Sequence, residues 1–173
     1  ILGYLFKEMI IEKWDILDEN GLPTGKTTLR GKNLLKNGEY HLVVHIWIVS
    51  TDGRILLQRR SENKRLMPGE WAATGGAAVA GEDSFSAASR ELFEELGIKR
   101  NRDNMQRAFR LKRRNSLLDV WFTVCDIPEK DLTLQKDEVA EVRDMQEFGV
   151  SFVDFEDFVE GDVIECYAME ELE

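Results

Sequence analysis

The sequence predicts an α+β domain with helices packed on a mixed β-sheet. Three observations lead there. Segment 41–50 (HLVVHIWIVS) is rich in β-branched and aromatic residues and reads as a buried strand, and after the Thr51-Asp52-Gly53 turn 54–60 (RILLQRR) makes its paired strand. An amphipathic helix follows, and after it a second strand pair, 104–114 and 117–125. A late stretch, 151–161 (SFVDFEDFVEG), spaces Phe152, Phe155, Phe158 and Val159 as a second short helix would. Separate strand pairs and helices are the pattern of α+β layering.

In chain order, residues 11–18 (IEKWDILD) alternate loosely and predict a short strand, closed by the Glu19-Asn20-Gly21 turn. Residues 22–40 are polar and glycine-containing and predict a loop with at most one helical turn. Lys26, Arg30 and Lys32 there are either substrate contacts or solvated charges. In strand 41–50, His41 and His45 share a face. His45 lies among apolar residues and reads as a core histidine rather than a ligand; His41, at the strand mouth, suits either role. Arg59, on strand 54–60, is a candidate substrate contact. The cluster Lys112-Arg113-Arg114 spans the second hairpin turn, where Arg113 either reaches a substrate phosphate or is solvated. Residues 136–145 (KDEVAEVRDM) predict a further strand, and the MEELE tail is acidic.

The 173-residue length suits one domain, 1–173, with an N-terminal strand and loop over 10–40 and a C-terminal helix near 151–160. No apolar run approaches the ~20 residues of a membrane span. Cys125 and Cys166 lack metal-type spacing and read as reduced thiols of a cytoplasmic protein. A net charge of −10 argues against binding duplex nucleic acid. Dimers are common among such folds, so a homodimer is the base expectation.

The stretch 76–98, GAAVAGEDSFSAASRELFEELGI, carries the chemistry. Its helix starts near Asp83 or Ser84, which can cap free N–H groups, and stops at Gly97. At ~100° per residue, Phe85, Ala88, Leu92 and Leu96 form an apolar stripe, while Glu91, Glu94 and Glu95 crowd beside it. Three carboxylates that close repel one another and call for a cation. Magnesium suits them, since it takes hard oxygen ligands and keeps waters; manganese is the alternative.

These residues fall at fixed spacing. Gly76, Glu82, Arg90-Glu91-Leu92, Glu94-Glu95 and Gly97-Ile98 match G-x5-E-x7-R-E-U-x-E-E-x-G-U, with U aliphatic. One chance window would match at odds on the order of one in a billion. The segment closely resembles the Nudix superfamily, whose members hydrolyse a nucleoside diphosphate linked to another group. That resemblance implies an α/β/α sandwich and Mg²⁺ or Mn²⁺ held by Glu91, Glu94, Glu95, the Gly76 carbonyl and Glu82, the last through water or through Arg90. Arg90 then orients a glutamate, and Glu91 is the first candidate base, Glu138 the second; as the bland alternative Glu138 is a surface strand charge. A wider likeness, from WDILDENGLPTG through PGEW to LQKDEVAEVRDM, is to proteins related to isopentenyl-diphosphate isomerase. The isomerases' cysteine and following histidine, just upstream of the box, are missing from Ala72–Ala77. A diphosphate hydrolase is therefore the leading reading. The alternatives are an atypical isomerase and a non-catalytic nucleotide sensor.

Overall fold

The structure is a computed structural model and describes residues 12–31, 35–64 and 66–145. The helix expected over 151–161, the acidic tail and Cys166 lie outside the described residues. β1 (Lys13–Leu17) and β2 (Pro23–Leu29) pair antiparallel as a two-stranded sheet. β3 (His41–Val49), β4 (Ile55–Arg60), β5 (Trp71–Ala72) and β6 (Thr74–Ala77) precede the single described α-helix, α1 (Ser84–Leu96). β7 (Gln106–Lys112), β8 (Ser116–Val124) and β9 (Val139–Met145) follow it. β3 to β9 make one mixed sheet: β3 runs parallel to β8 along its whole length, and its other pairings are antiparallel.

Alternation along β3 sets the layers. Leu42, Val44, Ile46 and Ile48 are buried, while His41, Val43, His45 and Trp47 are half-buried on the other face. The buried row receives α1, whose Ala87, Ala88, Leu92 and Leu96 join the same core. Each leucine so buried contributes about 2 kcal/mol. Asp83 caps α1 by accepting from Ser86 N at 2.7 Å. Gly97, at φ 74°, closes it in the left-handed conformation. Phe85, expected on the buried stripe, is only partly covered and meets Trp121 edge-on at 5.8 Å. No helix among the described residues is long and apolar enough to cross a membrane.

Two segments depart from expectation. Residues 23–29, expected as loop, are β2. Five of its seven residues are exposed, so it carries no apolar alternation. Pairing with β1 and the Thr24 Oγ1–Ile16 O bond of 2.7 Å hold it. The β3–β4 pair is also shorter than expected, only Ile48–Leu56 and Val49–Ile55. β6 takes the rest of that edge, Val43 to Ile46, and thereby lays the glycines of 75–76 against the middle of the sheet.

Candidate active site

The site is built where β6 passes beneath α1. Gly76 lies opposite Val44 on β3, and a Cβ at 76 would sit 2.3 Å from Glu91 Oε1. At Gly75 a Cβ would meet the Val44 carbonyl at 2.2 Å. Only glycine lets the strand press against both the sheet and the Glu91 carboxylate.

Two carboxylates are sunk into this contact. Glu95 is buried, accepting from Gln58 Nε2 at 2.8 Å and from Gly75 N at 3.2 Å. Burial pushes its carboxyl up, against those two bonds and the charges of Lys64 and Arg60. Burial likewise drives Glu91 to about 7; Arg90 opposes the rise, while Glu95 and Glu94 add to it. A carboxylate poised there can accept a proton at neutral pH. Glu94 is half-exposed.

Arg90 ties the group together. Its guanidinium donates to Glu82 Oε1 and Oε2 at 2.7 and 3.0 Å, Glu91 Oε1 at 2.9 Å, Glu94 Oε2 at 3.0 Å and the Ala77 carbonyl at 3.1 Å. Glu82 also accepts from Val79 N at 3.0 Å, which pins the glycine turn.

Glu138, just ahead of β9, forms an ion pair with Lys64. Burial lowers the Lys64 ammonium, and the charges of Glu95 and Glu91 push it back up, so Glu138 stands at the edge of the same group. Arg60 and Arg30 also lower Lys64. A cluster of cations therefore adjoins the carboxylates. Arg59 is elsewhere: alternation along β4 turns it away from Gln58, and it holds the Gly69 carbonyl, Glu62 and Glu141. Arg113 caps the β7–β8 turn, its N–H donating to the Ser116 carbonyl at 2.8 Å. Burial, then the Arg113 and Arg60 charges, hold His45 neutral with a value of about 4. His41 stacks on Trp14 with ring centroids 4.1 Å apart.

Gln58 and Lys64 are site residues that the sequence reading missed. An amide inside the apolar run ILLQRR was the available signal, since a buried amide needs partners. Lys64 gave none.

Among the described residues no three His, Cys, Asp or Glu side chains converge on one point as they stand. Arg90 holds Glu91 and Glu94 apart from such a cluster. The donors still fit a hard divalent cation. All are oxygens, Glu91 and Glu95 lack full charge compensation in their buried setting, and the bare Gly76 backbone leaves room for close approach.

The NUDIX domain family model matches residues 39–164. An uncharacterised Nudix hydrolase of Listeria monocytogenes is 42% identical over 134 residues, covering 77% of this chain and 79% of its own. An isopentenyl-diphosphate Delta-isomerase of Pectobacterium atrosepticum is 32% identical over 133 residues, covering 72% and 71%. Among solved structures, a Deinococcus radiodurans protein, DR0079, superposes with a TM-score of 0.66 at 21% identity, over 78% of this chain and 83% of that one. With a family model over most of its length and a relative of this similarity, the chain is an enzyme of the Nudix hydrolase family.

Proposed function

We propose that this enzyme hydrolyses the diphosphate linkage of a nucleoside diphosphate joined to another group, or of a related organic diphosphate, with Mg²⁺ or Mn²⁺. One observation carries the reading: Glu91 and Glu95 are set against the glycine turn, where a Cβ at Gly76 would fall 2.3 Å from Glu91 Oε1 and Gly75 N donates to Glu95. Glu91, Glu94 and Glu95 with the Gly76 carbonyl are the metal-holding set, and Glu82 joins them through Arg90. A divalent ion held there supplies charge neutralisation at the phosphate oxygens and acidifies water. Glu91 takes the proton of the water that attacks phosphorus, and the bond from phosphorus to the bridging oxygen breaks. Arg90 is a positioning residue that fixes Glu82, Glu91 and Glu94. Glu138 is the reserve base, released when Lys64 turns to a phosphate. Arg113, with Arg30 and Arg60, supplies positive charge toward substrate phosphates. Arg59 acts on substrate through the 61–70 loop it fastens. The protein works in the cytoplasm, and a homodimer is its expected assembly.

Screening a panel of nucleotide sugars, dinucleoside polyphosphates, nucleoside triphosphates and isoprenoid diphosphates for Mg²⁺-dependent phosphate release tests this. Turnover of none of them, with tight nucleotide binding in Mg²⁺, would replace the hydrolase by a nucleotide sensor. The isomerase relative favours a second reading, conversion of isopentenyl diphosphate to its dimethylallyl isomer. NMR of the incubated substrate decides it. The segment Ala72–Ala77 speaks against that chemistry, because it holds neither a cysteine nor a histidine to donate a proton to a carbon–carbon double bond.

A further inference from the structure

Beyond the N-terminal end of α1 lies a cavity of about 670 Å³, a size typical of small-molecule sites. Its floor is apolar: Leu17, Leu42, Phe85 and Trp121. Its charged wall comes from Arg102, Arg107 and Arg110, part of the run KRNRDNMQRAFRLKRR, which is strongly basic in a chain of net charge −10.

The hydrogen-bond inventory of this wall is unbalanced. Each guanidinium carries five N–H donors. Arg110 gives two to Asp119, at 2.5 and 2.8 Å. Arg107 gives one to the same carboxylate at 3.3 Å, and Arg102 gives one to Asp83 at 2.8 Å. Asp119 is fully buried and serves both Arg107 and Arg110. The acids on the lining are already engaged. Asp15 accepts from Gly81 N, Glu82 holds Arg90, and Asp83 caps α1. Unused N–H donors on Arg102 and Arg107 therefore meet an apolar floor.

We infer that this cavity is a second ligand site, separate from the glutamate cluster, for a small organic anion with an apolar body and a phosphate or carboxylate head. The head lies against Arg107 and Arg102, and the body covers Trp121 and Leu42. Glu82 lines the same cavity, so an occupant touches the residue that holds Arg90 at the box.

Phenyl phosphate is a suitable probe, because it has the ring and the head but no diphosphate to cleave. The Trp121 indole N–H, which donates to Ser84 Oγ at 2.9 Å, is the reporter; its NMR resonance is assigned with Trp121→Phe. Titration should give a saturable shift with phenyl phosphate and a weaker response to inorganic phosphate. Benzoate in a third arm distinguishes a carboxylate ligand from a phosphate one. Replacing both Arg102 and Arg107 by Gln leaves Arg110 on Asp119, so the fold is kept, and should weaken binding about tenfold or more. Glu94→Gln with Glu95→Gln should leave binding unchanged. The inference is overturned if no probe gives a saturable shift. It is also overturned if the glutamate pair abolishes the shift while the arginine pair does not, or if inorganic phosphate binds as well as phenyl phosphate. Binding is read without turnover, so the result stands whatever the hydrolysis assays return.

Discussion

Two buried carboxylate sites flank the same helix and are treated in opposite ways. At one end, Asp119 is fully enclosed, and burial works against its charge. Arg110, Ser84 and Arg107 more than offset this and hold it below the usual carboxylate range. Toward the other end, Glu95 is buried and Glu91 largely so, and both are pushed up because burial outweighs their partners, with Glu95 and Glu94 adding to the rise at Glu91. The first arrangement stabilises the fold. The second keeps a strained charge in place, as sites that bind cations or move protons do.

Removing two of the proposed metal-holding carboxylates should cut turnover while sparing the fold. Glu94→Gln with Glu95→Gln is expected to lower Mg²⁺-dependent hydrolysis on the order of a thousandfold, several kcal/mol of lost charge stabilisation. Urea melts of this variant should match or exceed wild type. Activity near wild type would show that the metal set is misassigned.

Asp119→Asn should behave in the reverse way. It leaves Arg107 and Arg110 facing a neutral amide, and a broken buried pair costs about 3 kcal/mol. Specific activity per folded molecule should hold steady while the denaturation midpoint falls. A midpoint within error of wild type would erase the contrast between the two sites.

The contrast can be sharpened by pH. The folded value of Glu91, about 7, lies above its ordinary 4.5, so the folded protein holds a proton that the unfolded chain releases over this window. Stability from this group is therefore greatest below pH 4.5, falls between 4.5 and 7, and is at its lowest above 7. In metal-free buffer, Glu91→Gln should gain about 2 kcal/mol at pH 8 and nothing at pH 4, read from melts at both. A gain of equal size at both values would point to packing instead of charge.

The smallest effect belongs to Arg59, whose ion pairs with Glu62 and Glu141 are solvent-exposed. Arg59→Gln should cost less than about 1 kcal/mol of stability. It should raise KM by no more than a few-fold, with kcat unchanged. A large rise in KM would make Arg59 a direct substrate contact.

The box was legible because its chemistry fixes residue types at fixed intervals on one helical turn after another. Arg90, Glu91, Glu94 and Glu95 announce themselves for that reason. Gln58 and Lys64 do not, since their parts in the site arise from which strand lies beside which. β6 was hidden too: TGGA has no apolar pattern, and its pairing with β3 is decided by the sheet. β2 escaped because an exposed strand in a two-stranded ribbon carries no buried face to read. The strands 41–50 and 117–125 were readable because burial imprinted β-branched and aromatic residues on them, and 54–60 because a short apolar run follows the Thr51-Asp52-Gly53 turn.

The parallel union of β3 with β8 also governs how the molecule reaches its working form. His41 meets Ser116 and Val49 meets Val124, and beyond the strand ends Thr51 meets Asp126 across 75 residues of chain. Closing a loop that long gains nothing until its ends touch, which slows assembly relative to local hairpins. The whole box lies inside that loop. In refolding experiments, recovery of catalysis should therefore coincide with closure of this central seam, and no partly assembled species that lacks it should turn over substrate.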